Sequence, residues 1–299
     1  MCMHFHYEKG RSNLTSRDKK KIEAAKDLNA SIIRYDIPLK DYKQGIDYYM
    51  SIVDFIADEG LKNFVVLASF GGMTAKQLKL ITPPVNDEIF KEITEYSKFV
   101  SSHAGSKVQY YQLGNELNNP PISLAIQDSV RLIKAVAEGL EYYQYRVVNP
   151  FTDAYSKYNW YEWTKYWLDH AGFYIDIVGI DHYPCSGPLW NPRDWGVLKT
   201  ATELCNKYGK LVAICETGYS TWLPILHGEM GQVIYVKTAY PEIFKVNSNL
   251  EFISWYEIVD ELFADPTLPG WFYGILRFDL SKKMAYSYLK KVFEYAEHL

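Results

Sequence analysis

Apolar residues follow two rhythms along this chain, and the rhythms take turns. Short runs dense in β-branched and aromatic residues fall at 4–7, 31–37, 63–69, 108–114, 142–149, 175–183, 210–216 and 251–255. Runs such as YIDIVGID and KLVAIC are apolar almost throughout, as parallel strands covered on both faces require. Between them lie stretches with helical spacing. SRDKKKIEAAKDLNA begins with Ser16 as the expected N-cap. IDYYMSIVDFIADEG and NDEIFKEITEYSKFVSSHAG stop at Gly60 and Gly105, both C-terminal signals. SLAIQDSVRLIKAVAEGL, WYEWTKYWLDHAG, DWGVLKTATELCNKYG, EMGQVIYVKTAYPEIFKV and KKMAYSYLKKVFEYAEHL complete the series. The pattern predicts eight strands and eight helices in strict order, with a repeat of about 37 residues that suits a βα unit.

Such alternation fits a closed eight-unit barrel or an open doubly wound sheet. The unit count favours the barrel, and no GxGxxG or GxxxxGK[ST] follows the first strand. The expected fold is α/β, a single (β/α)8 TIM barrel. No linker or low-complexity tract divides the chain, so residues 1–299 are read as one domain. Composition then narrows the function classes. With 48% hydrophobic and 23% charged residues, the chain is ordinary for a soluble globular protein. A net charge of −4 argues against a nucleic-acid partner, and the lack of 18 consecutive apolar residues argues against a membrane one. The N-terminal MCMHFHY lacks the parts of a signal peptide. The location is therefore read as cytoplasmic, or as secreted if a leader was removed. Four cysteines without a CxxC pair make no disulfide scaffold. The run RDKKK at 17–21 reads as a solvated helix start. Only the 26 Tyr and 8 Trp stand out, as core or as flat platforms for ligands.

In a TIM barrel the chemistry sits where strands end, on the βα loops. Strand two ends with Arg34 and Asp36, strand four with Asn115 and Glu116. Strand six ends with Asp181, His182 and Tyr183, strand seven with Glu216, and strand eight with Trp255. Glu116 and Glu216 carry most weight, because strands four and seven look at one another across the mouth. Two carboxyl groups meeting there suit glycoside hydrolysis: one attacks the anomeric carbon and the other protonates the leaving oxygen.

YQLGNELN, IVGIDHYP, VAICETGYS and ISWYE, in this order, resemble clan A glycoside hydrolases, retaining (β/α)8 enzymes with catalytic glutamates after strands four and seven. Families 5, 39 and 53 are the relatives in view. The resemblance runs from Arg34 to the GILRFDLSKKMAYSYL tail. It implies Glu116 as general acid/base, Glu216 as nucleophile and Asn115 as partner of the sugar 2-hydroxyl. It further implies Arg34 beside the nucleophile, keeping it ionised, and Trp255 as the floor of the first sugar subsite. On strand six it implies a tyrosine bonding the nucleophile, matched by Tyr183. The residue sharing its face is Asp181, by strand alternation, so the family's histidine role is absent, taken by Asp181, or supplied by His182 through a bulge.

Other candidates are weaker. His4 and His6 share a strand face and could reach the mouth, while Trp190, Trp195, Trp222 and Trp271 in the loops are sugar platforms or loop packing. Neither metal nor cofactor is expected, because no carboxylate stands at ligand spacing among His4, His6 and His182. Cys215 is expected to face the outer helix layer. Glu116, in a drier setting beside the negative Glu216, should hold a proton. The whole implies a retaining β-glycosidase acting on a β-linked carbohydrate of glucan, mannan or galactan type. The alternatives are a non-catalytic carbohydrate-binding barrel and a lyase or aldolase. The last lacks support, since Lys210 opens strand seven at the wrong end for a Schiff base.

Overall fold

The computed structural model describes residues 1–6, 13–83, 85–119, 124–141, 144–152, 159–185, 191–222, 228–261 and 272–297. Its strands are β1 (Cys2–His4), β2 (Ile32–Asp36), β3 (Lys62–Leu67), β4 (Val108–Leu113), β5 (Tyr145–Val148), β6 (Ile177–Asp181), β7 (Leu211–Thr217) and β8 (Ile253–Trp255). Each pairs in parallel with the next, and β8 pairs with β1, which closes the barrel. The fold is the (β/α)8 TIM barrel expected of the alternation. All eight strands fall where the apolar runs placed them, shifted or trimmed by a few residues at the ends.

The helices are α1 (Ser16–Asp27), α2 (Tyr42–Asp58), α3 (Ala75–Ile81), α4 (Glu88–Ala104), α5 (Ile126–Gly139), α6 (Trp160–Ala171), α7 (Gly196–Tyr208), α8 (Glu229–Val246) and α9 (Tyr286–Ala296). The short α3 interrupts what reads as loop after β3. Its origin is local: Thr74 and Gln77 form a reciprocal capping box. At α1 the cap is Thr15 rather than Ser16, its hydroxyl accepting from the Asp18 N–H at 3.0 Å. Gly105 ends α4 in the positive-φ region that glycine enters without strain. Among the described residues, no helix is long and apolar enough to cross a membrane.

Strand side chains alternate between two buried regions. Met3, Ile33, Tyr35, Val65, Tyr111, Val148, Val178, Ile180, Ile214 and Ile253 pack under the helices. Cys2, Ile32, Phe64, Tyr110, Val147, Ile177, Ala213, Cys215 and Phe252 fill the barrel interior. This overturns the expectation for Cys215. The register shifts between β6 and β7, where Ile180 pairs with Ile214 but Asp181 pairs with Glu216. The extra residue lets Cys215 and Glu216 both turn inward. Gly179 makes the room, since a Cβ there would lie 2.0 Å from the Cys215 sulfur.

Candidate active site

The mouth begins where the interior turns polar. Two residues above Ile32 on β2, Arg34 is 1% exposed and spends its donors inside the barrel. Nε donates to Gln112 Oε1 at 3.0 Å and Nη2 to Asn115 Oδ1 at 2.8 Å. Nη1 faces Glu216 Oε1 at 2.6 Å and His4 Nδ1 at 2.7 Å. A guanidinium offers only hydrogens, so His4 must present a bare Nδ1 and remain neutral. Burial first, then the charges of His6 and Arg34, hold its pKa well below the usual histidine range. The other oxygen of Glu216 accepts from the Tyr183 hydroxyl at 2.7 Å. Glu216 is thus fixed from two sides by groups that arrive on β2 and just beyond β6.

Glu116 follows a sharp turn at the end of β4. Gly114 takes φ 85° and Glu116 itself φ 46°, a conformation few non-glycine residues hold. Its N–H donates to Asn149 Oδ1 at 3.2 Å, and its Oε2 accepts from Asn119 Nδ2 at 3.0 Å. Burial, and then the negative Glu216 nearby, push its pKa up to about 7. Carboxyl oxygens of Glu116, Asp181 and Glu216 all lie within 4.8 Å of one another. Asp181 is fully buried, its Oδ2 accepting from Asn149 Nδ2 at 2.5 Å. Burial and the charges of Glu216 and Glu116 raise its pKa well above the carboxylate range.

A cleft of about 390 Å³ opens over this network, within the size range of small-ligand sites. His4, His6, Arg34, Asp36, Asn115, Glu116, Glu216 and Tyr256 are among its walls. Several sequence candidates therefore meet: Arg34, Asn115, Glu116, Asp181, Tyr183, Glu216 and His6. Others do not. Trp255 is fully buried and packs edge-on against Tyr235 of α8, 6.1 Å between rings, so it floors no subsite. Strand phase explains this: Phe252 and Ser254 point inward, which sends Ile253 and Trp255 outward. The next residue, Tyr256, lines the cleft instead. His182 likewise faces away, between Thr152 Oγ1 at 3.1 Å and the Asp194 carbonyl at 2.7 Å, edge-on to Trp195. No bulge brings it inward. Trp195 is itself buried, and Trp222 is half-buried outside the cleft lining. Trp190 and Trp271 lie outside the described residues.

Polar residues of the mouth that were not singled out by sequence include Gln112, Asn119, Asn149 and Tyr256. Gln112 orders the network, since its amide nitrogen stands 2.8 Å from both Asn115 Oδ1 and Asn149 Oδ1. Alternation from Tyr110 marks Gln112 as inward, and that was the available signal. Carboxylates do stand at ligand spacing from one of the three histidines. His6 Nε2 is 3.3 Å from Glu257 and 3.6 Å from Glu261, carboxylates that sequence spacing does not pair with it. Among the described residues, that trio and the trio of Glu116, Asp181 and Glu216 are spaced closely enough to hold a cation. In the second, Arg34 already supplies positive charge.

Fold and site together define the class of molecule to compare. No family model matches the chain, and no curated protein matches it. Solved structures do. β-Glucuronidase from Bifidobacterium dentium superposes with TM-score 0.70 at 17% identity, over 98% of this chain and 45% of that one. A family 39 glycoside hydrolase from Bacteroides cellulosilyticus WH2 gives TM-score 0.71 at 16% identity, over 97% and 62%. The family 1 β-glucosidase from Thermotoga maritima gives TM-score 0.65 at 15% identity, over 94% and 86%. The chain thus spans about half the length of the first of these. At such identities the likeness is one of fold, the eight-stranded parallel barrel.

Proposed function

We propose that the chain is a retaining β-glycoside hydrolase that acts by double displacement on a β-linked oligo- or polysaccharide, with residues 1–299 as one catalytic unit. One observation carries the reading: two glutamates at the mouth, with carboxyl oxygens within 4.8 Å, stand in unequal surroundings. That spacing suits the about 5–5.5 Å carboxyl separation of retaining enzymes rather than the wider gap that admits a water. Glu216, gripped by Arg34 and Tyr183, attacks the anomeric carbon. Glu116, with its pKa near 7, protonates the departing oxygen and later takes the proton of the attacking water. Asn115 serves the sugar 2-hydroxyl. Its oxygen already receives donors from Arg34, Gln112 and Asn149, which leaves the amide nitrogen to donate.

The neighbours' names include a β-glucosidase, a β-glucuronidase and β-1,4-galactanases. The sugar is therefore chosen by a screen of aryl β-glycosides and β-glycan polymers. The role test uses E116A and E216A with dinitrophenyl glycosides and azide. E116A forms the glycosyl-enzyme, stalls, and is rescued by azide to the β-glycosyl azide. E216A yields the α-azide by direct attack on the opposite face. The same anomer from both variants, or rescue of neither while the wild type is active, overturns the assignment.

A further inference from the structure

Asp181 is a third carboxyl in a site whose chemistry needs two. It projects inward from the end of β6, fully buried, and touches groups from several elements. Glu116 beyond β4, Glu216 and Cys215 on β7, Arg34 on β2 and Tyr183 beyond β6 are the titratable groups around it. Three carboxyls share this space with one guanidinium. That guanidinium is committed to Glu216, Asn115, Gln112 and His4 and donates to neither Asp181 nor Glu116.

The contact between Asp181 and Glu116 is the decisive feature. Carboxyl oxygens of the two side chains lie within 4.8 Å of one another, with no group of opposite charge between them among the described residues and Arg34 committed elsewhere. Asp181 Oδ2 has a donor in Asn149, but among the described residues buried Oδ1 meets no donor. If both groups were carboxylates, acceptor would face acceptor in a buried pocket, with two negative charges unscreened. A proton between them turns the same contact into an O–H···O hydrogen bond. Of the two, Asp181 is the deeper, whereas Glu116 is half-buried on the cleft.

We propose that Asp181 keeps a proton throughout the working pH range and donates it in a hydrogen bond to Glu116, making it the positioning residue of the acid/base. This rests on the glycosidase reading for its consequence, but not for its chemistry. A neutral donor stabilises the Glu116 carboxylate and so works against the upward push of burial and Glu216. Glu116 is then able to give its proton in the first step and, as carboxylate, to accept one from water in the second. No proton leaves Asp181 in either step. Without it, a smaller fraction of Glu116 would be carboxylate at a given pH.

The test separates a neutral donor from an anion by the sign of a shift. In D181N the amide keeps both contacts, its oxygen toward Asn149 and its nitrogen toward Glu116. The Glu116 titration should stay within about half a pH unit of wild type. In D181L the donor is lost and Glu116 should titrate about one pH unit higher, the size expected of a charged hydrogen bond. If Asp181 is an anion, both variants remove a negative neighbour and Glu116 titrates lower instead. Carbon-13 NMR of the labelled carboxyl groups, assigned with E116Q, reads the titration without any turnover. It also shows whether an aspartate carboxyl absent from D181N stays protonated above pH 7. If D181L does not fold, D181N and the direct carboxyl signal decide the matter. The basic limb of kcat/KM on an aryl glycoside should follow the same shifts. NMR shifts of the stated sign without hydrolysis of any glycoside would sink the function but keep the proton. Hydrolysis with downward shifts would do the reverse.

Discussion

The barrel interior has two layers made by the same strands, and they obey opposite rules. In the lower one, Cys2, Ile32, Phe64, Tyr110, Val147, Ile177 and Phe252 exclude water, with the Phe252 ring 5.2 Å from Phe64 and 5.5 Å from Tyr110. Two residues further along, the inward positions are His4, Arg34, Gln112 and Asn149, all buried, with Asp181 and Glu216 above them. The switch takes one step of the strand period: Cys2 to His4, Ile32 to Arg34, Tyr110 to Gln112, Val147 to Asn149. The lower layer gains from area removed from water. The upper one holds polar groups out of water and gains only where each finds its partner. Stability and chemistry are therefore stacked along one axis, and substitutions in the two layers should fail differently.

The largest effect belongs to the upper layer. E216Q keeps size and one acceptor oxygen yet lacks the carboxylate proposed as nucleophile, so kcat/KM should fall by a factor on the order of 10⁵. Steady-state kinetics on an aryl glycoside reads this directly. A loss under tenfold would remove Glu216 from the reaction. Next comes the lower layer. Phe252 is buried and packs on the rings of Phe64 and Tyr110, so F252A should cost about 3–5 kcal/mol in denaturant unfolding. The folded fraction should keep kcat/KM within about threefold, because buried packing at this depth sets stability rather than charge placement. If F252A were stable but inactive, the layers would not be separable. Third is Y183F, which deletes one of two donors to Glu216. Losing a hydrogen bond to a charged group should lower kcat/KM roughly 10- to 100-fold, with the melting temperature nearly unmoved.

How much of this was legible in sequence follows from the range of each signal. Strand order, the rim and the candidates Glu116, Glu216 and Arg34 rest on local patterns, and local patterns were enough to place them at one mouth. Asp181 and Tyr183 on one face follow from alternation along β6. The same rule applied to β8, starting from Phe252, would have turned Trp255 outward. Cys215 is a different failure. Its inward turn depends on a register shift against β6 and on the missing side chain of Gly179, partners 36 residues away that no local rhythm reveals. The meeting of His6 with Glu257 and Glu261 has the same origin, since barrel closure of β1 on β8 brings the two ends of the sequence together.

That junction supplies the smallest effect and tests whether buried charge costs stability beyond Glu116 and Glu216. Glu257 is 1% exposed, and among the described residues neither carboxyl oxygen receives a hydrogen bond. Burial, followed by the charges of Glu261 and Asp260, raises its pKa well above the ordinary carboxylate value. The folded protein therefore holds a proton that the unfolded chain releases at about pH 4.3. Stability from this group is fully present below that pH and is lost as pH rises through the folded-state value. Asp181 and Glu116 act in the same direction. Neutral His4 opposes them up to about pH 6.5. The wild-type melting temperature should therefore fall from about pH 6.5 to pH 8, and E257Q should remove part of that slope. Glutamine has the shape of the protonated acid and no proton to lose. E257Q should match wild type within about a degree at pH 5 and exceed it by about 2–4 °C at pH 8, the shift expected from about 1 kcal/mol. A melting temperature that drops at pH 8 would mean that Glu257 is an anion paired with protonated His6 across their 3.3 Å contact, and that charge here is stabilising.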